Sequence, residues 1–296
     1  MPTVRTRRQP GGGRSPHLAQ DGLARAGRAL RLVLLIALAV VFLVPFYLLV
    51  RNGLATEREI TAPNWRFFPE RLHWEHIGEL FRDPNVPMAH SLLNSAVIAV
   101  LTTAGTVLLA SLAGYGLARI PYRHANKVFY AILGTLMVPA AVTFVPSFVL
   151  VSSLGWISTL RGLIVPTVFS AFACLIFRQF FAGFPRELED AARVDGLGYW
   201  RTYWRVVAPN SRPVFAAVST IVFVGAWNAF LWPLVIGQDR EAWTVQVALS
   251  TFTTAQTVNL HELFVAAAVS ILPLLVVFLF LQRYLVAGVE RSGIDD

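Results

Sequence analysis

The stretch Glu187-Leu188-Glu189-Asp190-Ala191-Ala192-Arg193-Val194-Asp195-Gly196, running on to Val206-Val207-Ala208-Pro209, decides how this chain is read. It is a charged segment set between long apolar runs. Pro185 suits the first turn of a helix, where its missing N–H would be unpaired anyway. Glu187, Glu189 and Asp190 load that turn with acid, favourable against the positive end of the helix dipole. Leu188, Ala191, Ala192 and Asp195 follow i, i+3, i+4, i+7 spacing and share one face, with two alanines at its centre. Gly196 and Gly198 end the helix. A second helix follows, with Trp200, Tyr203, Trp204 and Val207 at the same spacing, and Pro209 closes the segment. The residues alone leave two readings open: a docking elbow, or an amphipathic loop lying in the lipid interface. The acids weigh against the second, because they would face an anionic leaflet.

The flanking runs place this elbow at a membrane. A chain of 296 residues with 55% hydrophobic content and a mean hydropathy of +0.58 is too apolar for an ordinary soluble domain. A helical span needs ~20 mostly apolar residues. Six stretches qualify, near 32–50, 92–118, 128–151, 162–182, 213–235 and 263–282. They are continuous runs without period-2 alternation, which disfavours a β-barrel and predicts an all-α integral membrane protein with six transmembrane helices. Basic residues cluster before span 1, after span 2, between spans 4 and 5, and at the end, so both termini are predicted to be cytoplasmic. The predicted organisation is a disordered basic tail over 1–31, the first span over 32–50 and an extracytoplasmic loop over 51–90. A core over 91–284 follows, with five spans and the elbow segment 185–212, and then a C-terminal tail over 285–296. A cleaved signal peptide is not expected, because the apolar core exceeds ~15 residues and no small-residue cleavage site follows it. The single cysteine, Cys174, falls in span 4 and reads as a small buried hydrophobe.

The spans are notable for what they lack. All 17 Asp and Glu residues and all 6 His lie outside them. Ionisable groups within a membrane usually mark proton or ion relays. A proton-coupled symporter is therefore disfavoured. Sodium coupling through backbone carbonyls at broken helices survives more weakly. There is no G-x-x-x-x-G-K-[ST] phosphate cradle, no metal-ligand spacing and no nucleophile–base pair. No catalytic, cofactor-binding or metal-binding residue is expected, and the chain is not read as an enzyme.

The elbow resembles the EAA motif of permease subunits of bacterial ABC importers: Glu-Ala-Ala, three residues, Gly, nine residues, then Ile-x-Leu-Pro. Here Asp190-Ala191-Ala192, Gly196 and Val206-Val207-Ala208-Pro209 keep that spacing, with Asp in place of Glu at 190 and Ala in place of Leu at 208. The resemblance covers about residues 90–290. It is to the carbohydrate-import branch, the maltose-type permeases of the smaller, six-span, MetI-like kind. Asn94-Ser95, Leu117-Ala118-Arg119, Met137-Val138-Pro139, Arg178-Gln179-Phe180-Phe181, Trp227-Asn228 through Pro233, and Gln282-Arg283-Tyr284 carry it in order and spacing.

The resemblance implies a transport subunit of the cytoplasmic membrane that moves a sugar or oligosaccharide by alternating access. ATP and Mg would be bound by a partner ATPase dimer. Further implied partners are a second permease subunit of the same family and an extracytoplasmic solute-binding protein, with membrane lipid around the spans and no nucleic acid. It assigns coupling to Glu187, Glu189, Asp190, Ala191, Ala192, Asp195, Gly196 and Pro209, and offers Asn94, Tyr115, Trp227 and Asn228 as candidates for the substrate path. From position alone, Arg119 and Arg178 read as interface anchors at cytoplasmic helix ends, and Trp227 and Trp232 as members of an outer aromatic belt. The alternatives are a permease for a glycerophosphodiester or polyol, an ion-coupled transporter, and a membrane scaffold or sensor.

Overall fold

The computed structural model describes residues 17–253 and 259–292. It divides into two compact units, residues 1–49 and 50–296. The first unit is dominated by α1 (His17–Gly53), whose last turn belongs to the second. Leu30 through Val44 on α1 expose their large apolar side chains, and the stretch Gly27–Gly53 is long and apolar enough to span a bilayer. The first part of the expected tail, residues 1–16, lies outside the described residues. Its second part is helical, because Leu18, Leu23, Ala24, Arg25 and Ala26 are strong helix formers that extend the span backwards.

The second unit is also helical, and no sheet forms among the described residues. The loop expected over 51–90 holds α2 (Glu57–Thr61) and α3 (Glu75–Arg82). Thr56 and Glu59 close a reciprocal capping box on α2. The central element is α4 (Met88–Arg119), long enough to span on its own. It buries Ser91, Asn94, Ser95, Ile98, Ala99, Thr102, Thr106, Ala110, Ser111 and Gly114 along one stripe. Small residues at three- and four-residue spacing let neighbouring backbones approach, as packing within a bilayer requires.

Three of the six expected spans are not single helices. α5 (Ala125–Thr135) and α6 (Ala140–Ser153) meet at 93°. Pro139 causes the corner: it has no N–H to donate and it disfavours helical backbone at Val138. α7 (Leu160–Ile164), extended by a tight turn over Val165–Thr167, meets α8 (Ala171–Ala182) at 44°. Ser170 caps α8 by accepting the Ala173 N–H at 3.2 Å.

The elbow contributes α9 (Arg186–Val194), α10 (Tyr199–Thr202) and α11 (Ala208–Asn210), and the segment Tyr199–Asn210 meets α12 (Arg212–Trp227) at 81°. The expected span 213–235 ends early, at Trp227. The short α13 (Leu231–Ile236) and α14 (Val245–Ser250) follow, and then the long α15 (Leu260–Ser292), which runs on through residues expected as tail.

Three apolar cores form among the described residues. One joins α4, α12, α14 and α15 around Phe223, Trp227, Val245 and Val265. Another joins α4, α8 and the elbow around Tyr115, Phe177, Phe181, Tyr203 and Val207. The smallest gathers Ile98, Val151, Leu163 and Ile236. Outside them Leu101, Val142, Val145, Leu275, Val276 and Leu279 are exposed, a surface suited to lipid and unsuited to water.

Candidate functional site: the elbow and its mounting

α9 starts after Pro185, which takes the N-cap position. It ends in a Schellman cap. Gly196, at φ +76°, donates its N–H to the carbonyl of Arg193, and Leu197 donates to the carbonyl of Ala192, both at 2.9 Å. A left-handed backbone there explains why glycine stands at the end of this helix. A side chain would meet nothing within 4 Å, so the requirement is conformational and not steric.

The helix sorts the expected coupling residues into two groups. Glu187, Asp190, Ala191 and Asp195 are exposed, along with Leu188 and with Val194, which is 88% exposed. Glu189 and Ala192 turn inward and are buried. The face expected to run Leu188, Ala191, Ala192, Asp195 is therefore split, because its inner edge packs onto the rest of the molecule. Pro209 is exposed within α11, behind a π turn over Tyr203–Val207 in which the Ala208 N–H reaches back to the carbonyl of Tyr203. Pro209 cannot donate, so the register shifts just ahead of it. The aromatic stripe divides accordingly, with Tyr203 and Val207 buried and Trp200 and Trp204 exposed.

Glu189 meets Arg119, the last residue of α4, at 3.3 Å, and the two side chains are 5% and 6% exposed. The Arg119 guanidinium also donates to the carbonyl of Phe181 at 2.7 Å and to the carbonyl of Phe184. Arg119 is thus no interface anchor, as its place in the sequence suggested. It is a buried cation joining the ends of α4 and α8 to the first turn of α9. Burial pushes the Glu189 carboxyl above its ordinary value, and Arg119 only partly offsets this. A second tie runs from α4 to the far side of the elbow, where Ser111 Oγ and Tyr203 OH lie 2.7 Å apart. The Tyr115 ring fills the space between these ties, 5.3 Å from Tyr203 and 5.8 Å from Phe181, centroid to centroid. Arg178 places its guanidinium 3.7 Å from the centroid of the Phe129 ring.

The four candidates for a substrate path are not brought together. Tyr115 lies in the mounting of the elbow. Asn94 donates to the carbonyls of Glu241 at 2.7 Å and Trp243 at 3.0 Å, which pins the loop before α14 to α4. Trp227 is 1% exposed and donates to the carbonyl of Ser270 at 3.2 Å, so it is a core residue and not part of a belt. Asn228 is exposed and accepts from Gln246 at 3.2 Å. The bundle does hold a cavity of about 300 Å³ between α4, α8 and α12–α13, lined by Thr102, Thr106, Thr167, Ser170 and Trp232 among apolar groups. Small hydroxyl residues inside apolar runs are its only trace in the sequence. Among the described residues no cluster of His, Cys, Asp or Glu could hold a metal ion.

Comparison with known proteins agrees with this architecture. Residues 107–291 match the family described as the inner membrane component of binding-protein-dependent transport systems. The arabinooligosaccharides transport system permease protein AraQ of Bacillus subtilis is 31% identical over 87% of this chain and 92% of its own length. The lactose transport system permease protein LacG of Rhizobium radiobacter is 36% identical over 74% of this chain and 80% of its own. The sn-glycerol-3-phosphate transport system permease protein UgpE of Yersinia pestis is 29% identical over 88% of this chain and 95% of its own. In fold, the chain is similar to one from the crystal structure of a bacterial ABC transporter involved in import of the acidic polysaccharide alginate. That match has a TM-score of 0.75 at 20% identity and covers 93% of this chain and 99% of that one. Such permeases are transport subunits and not enzymes, since ATP hydrolysis falls to a separate ATPase. The buried stripe of α4, the corners at Pro139 and Ser211, the elbow with its Gly196 cap and the match over residues 107–291 converge: this multi-pass membrane chain belongs to the binding-protein-dependent transport system inner membrane component family, the permease subunits of ABC importers.

Proposed function

We propose that this permease moves a sugar or oligosaccharide into the cell by alternating access, driven through the elbow by an ATPase dimer on the cytoplasmic side. In this reading both termini are cytoplasmic, a second permease of the family supplies the opposite wall of the pathway, and a solute-binding protein delivers the substrate from outside. The observation that carries the proposal is the division of α9. Its outer face offers Glu187, Asp190, Ala191, Val194 and Asp195 to a partner, while Glu189 and Ala192 fix its inner face to the bundle. A partner that pushes on the outer face moves the helix as a rigid body, and rigid-body motion is how alternating access switches. A sugar as cargo is supported by the relatives named for arabinooligosaccharides and lactose, and by the hydroxyl-bearing, uncharged lining of the bundle cavity. A glycerol phosphate is the second reading, favoured by the relative that carries that name.

Gly196→Pro tests the coupling. Proline is locked near φ −65° and cannot adopt the observed +76°. The variant is expected to insert and to retain the ATPase in the purified complex, but to lose ATP-driven uptake. Uptake at the wild-type rate would contradict the proposal. Uptake of labelled arabinooligosaccharide, lactose and glycerol 3-phosphate into vesicles supplied with ATP then separates the two cargo readings.

A further inference from the structure

We propose that Arg119 is a positioning residue that makes the elbow move as one body with the end of α4 and the linker that leaves α8. This rests on the coupling role given to the elbow above. The covalent route into α9 is Gly183-Phe184-Pro185, following the end of α8. Gly183 and Pro185 are exposed, and so short a linker allows a helix to swing. Arg119 removes that freedom. One guanidinium donates to the carbonyls of Phe181, in the last turn of α8, and Phe184, in the linker, and pairs in charge with the Glu189 carboxylate on α9 at 3.3 Å. A planar fork with fixed donors can serve two carbonyls and still present its charge to a carboxylate, which an ammonium on a flexible stem does not do as well.

Glu189 has no part in contacting an ATPase, because it is buried against Arg119. Its function is to hold Asp190 and Ala191, the next residues along the helix, facing outward. The cations and acids around it are Arg119 from α4, and Arg186, Asp190 and Arg193 from α9 itself. Arg193 and Asp190 pair with each other at the surface, 3.3 Å apart, so Arg119 is the buried cation left to Glu189. A push on the outer face of α9 is then transmitted at the end of α4, the helix that contributes to all three cores and lines the bundle cavity.

The test is a distance measurement within the whole complex, purified from its native membrane through a tag on this chain. Nitroxide labels are placed at exposed Val194 on α9 and at exposed Tyr122 just beyond α4, in a Cys174→Ala background. In otherwise native protein the distance distribution is expected to be narrow, and equally narrow when nucleotide-free and when trapped with ATP and vanadate. Glu189→Gln, which keeps the shape and removes the charge, is expected to broaden it at least twofold and to lower the kcat of ATP hydrolysis several-fold with KM for ATP unchanged. Arg119→Lys is expected to restore only part of the narrowness lost in Arg119→Gln. A loss of folded protein alone would reduce yield and leave the width unchanged. If Glu189→Gln keeps the native width while Gly196→Pro uncouples transport, the clasp is refuted and the elbow stands. If neither variant has an effect, both fall.

Discussion

Replacing Gly114 by alanine should separate the two helices on which the elbow is mounted. A Cβ built at Gly114 would lie 2.7 Å from the Cβ of Phe177 and 2.8 Å from the backbone N of Arg178. Neither neighbour is the free end of a flexible side chain, so nothing can rotate aside. Ordinary carbon contacts lie at about 3.5–4.0 Å, so α4 and α8 would have to part by roughly 1 Å, and a gap of that size forfeits a quarter to a half of each contact along the seam. Overpacking of this kind costs about 1–3 kcal/mol. The gain from removing a helical glycine, about 0.5–1 kcal/mol, offsets part of it. The expected net effect is a loss of roughly 1–2 kcal/mol. Gly116, two residues on, is the internal control, since a Cβ there meets nothing within 4 Å. Gly116→Ala should be neutral or stabilising by about 0.5–1 kcal/mol. Unfolding in mixed micelles, followed by tryptophan fluorescence against mole fraction of a denaturing detergent, measures both. A Gly114→Ala protein as stable as the wild type, or a Gly116→Ala protein that loses as much, would refute the close approach of α4 and α8.

Asn94→Ala should cost about 1–3 kcal/mol, because it leaves the carbonyls of Glu241 and Trp243 without their donor; Asn94→Asp, which offers an acceptor where a donor is needed, should be no better in the same titration. Gly196→Ala, which forces a Cβ into the left-handed region, should cost roughly 1–2 kcal/mol without loss of the ATPase from the complex, read by the same unfolding curve and by subunit composition.

The helical membrane class was legible in the sequence because lipid demands long apolar runs, and the elbow was legible because its acids and glycines interrupt them. Gly196 announces the end of α9 in one residue. What could not be read was which apolar runs bend. Pro139 turns its span through 93°, whereas Pro45 and Pro273 sit inside continuous helices. Burial of individual polar residues was equally hidden. Arg119 and Trp227 carry the sequence signature of interface residues, yet each is drawn inward by a carbonyl or carboxylate that arrives from a distant part of the chain. The candidate substrate-path residues scattered for the same reason. An Asn or Trp in a span is as well suited to pinning a loop as to holding a sugar, and composition does not separate the two.

Cross-linking from the outer face of α9 addresses the central claim most directly. Cys174 is the only cysteine and is buried, so an introduced thiol reports its own position. With the complex in its native membrane, Val194→Cys and Ala191→Cys are expected to cross-link to the ATPase subunit through a short thiol–amine reagent. Buried Ala192→Cys should not, and ATP should change the yield from the two exposed sites. Cross-links from Ala192→Cys alone, or none to an ATPase from any position, would contradict the assignment of this elbow as the coupling surface.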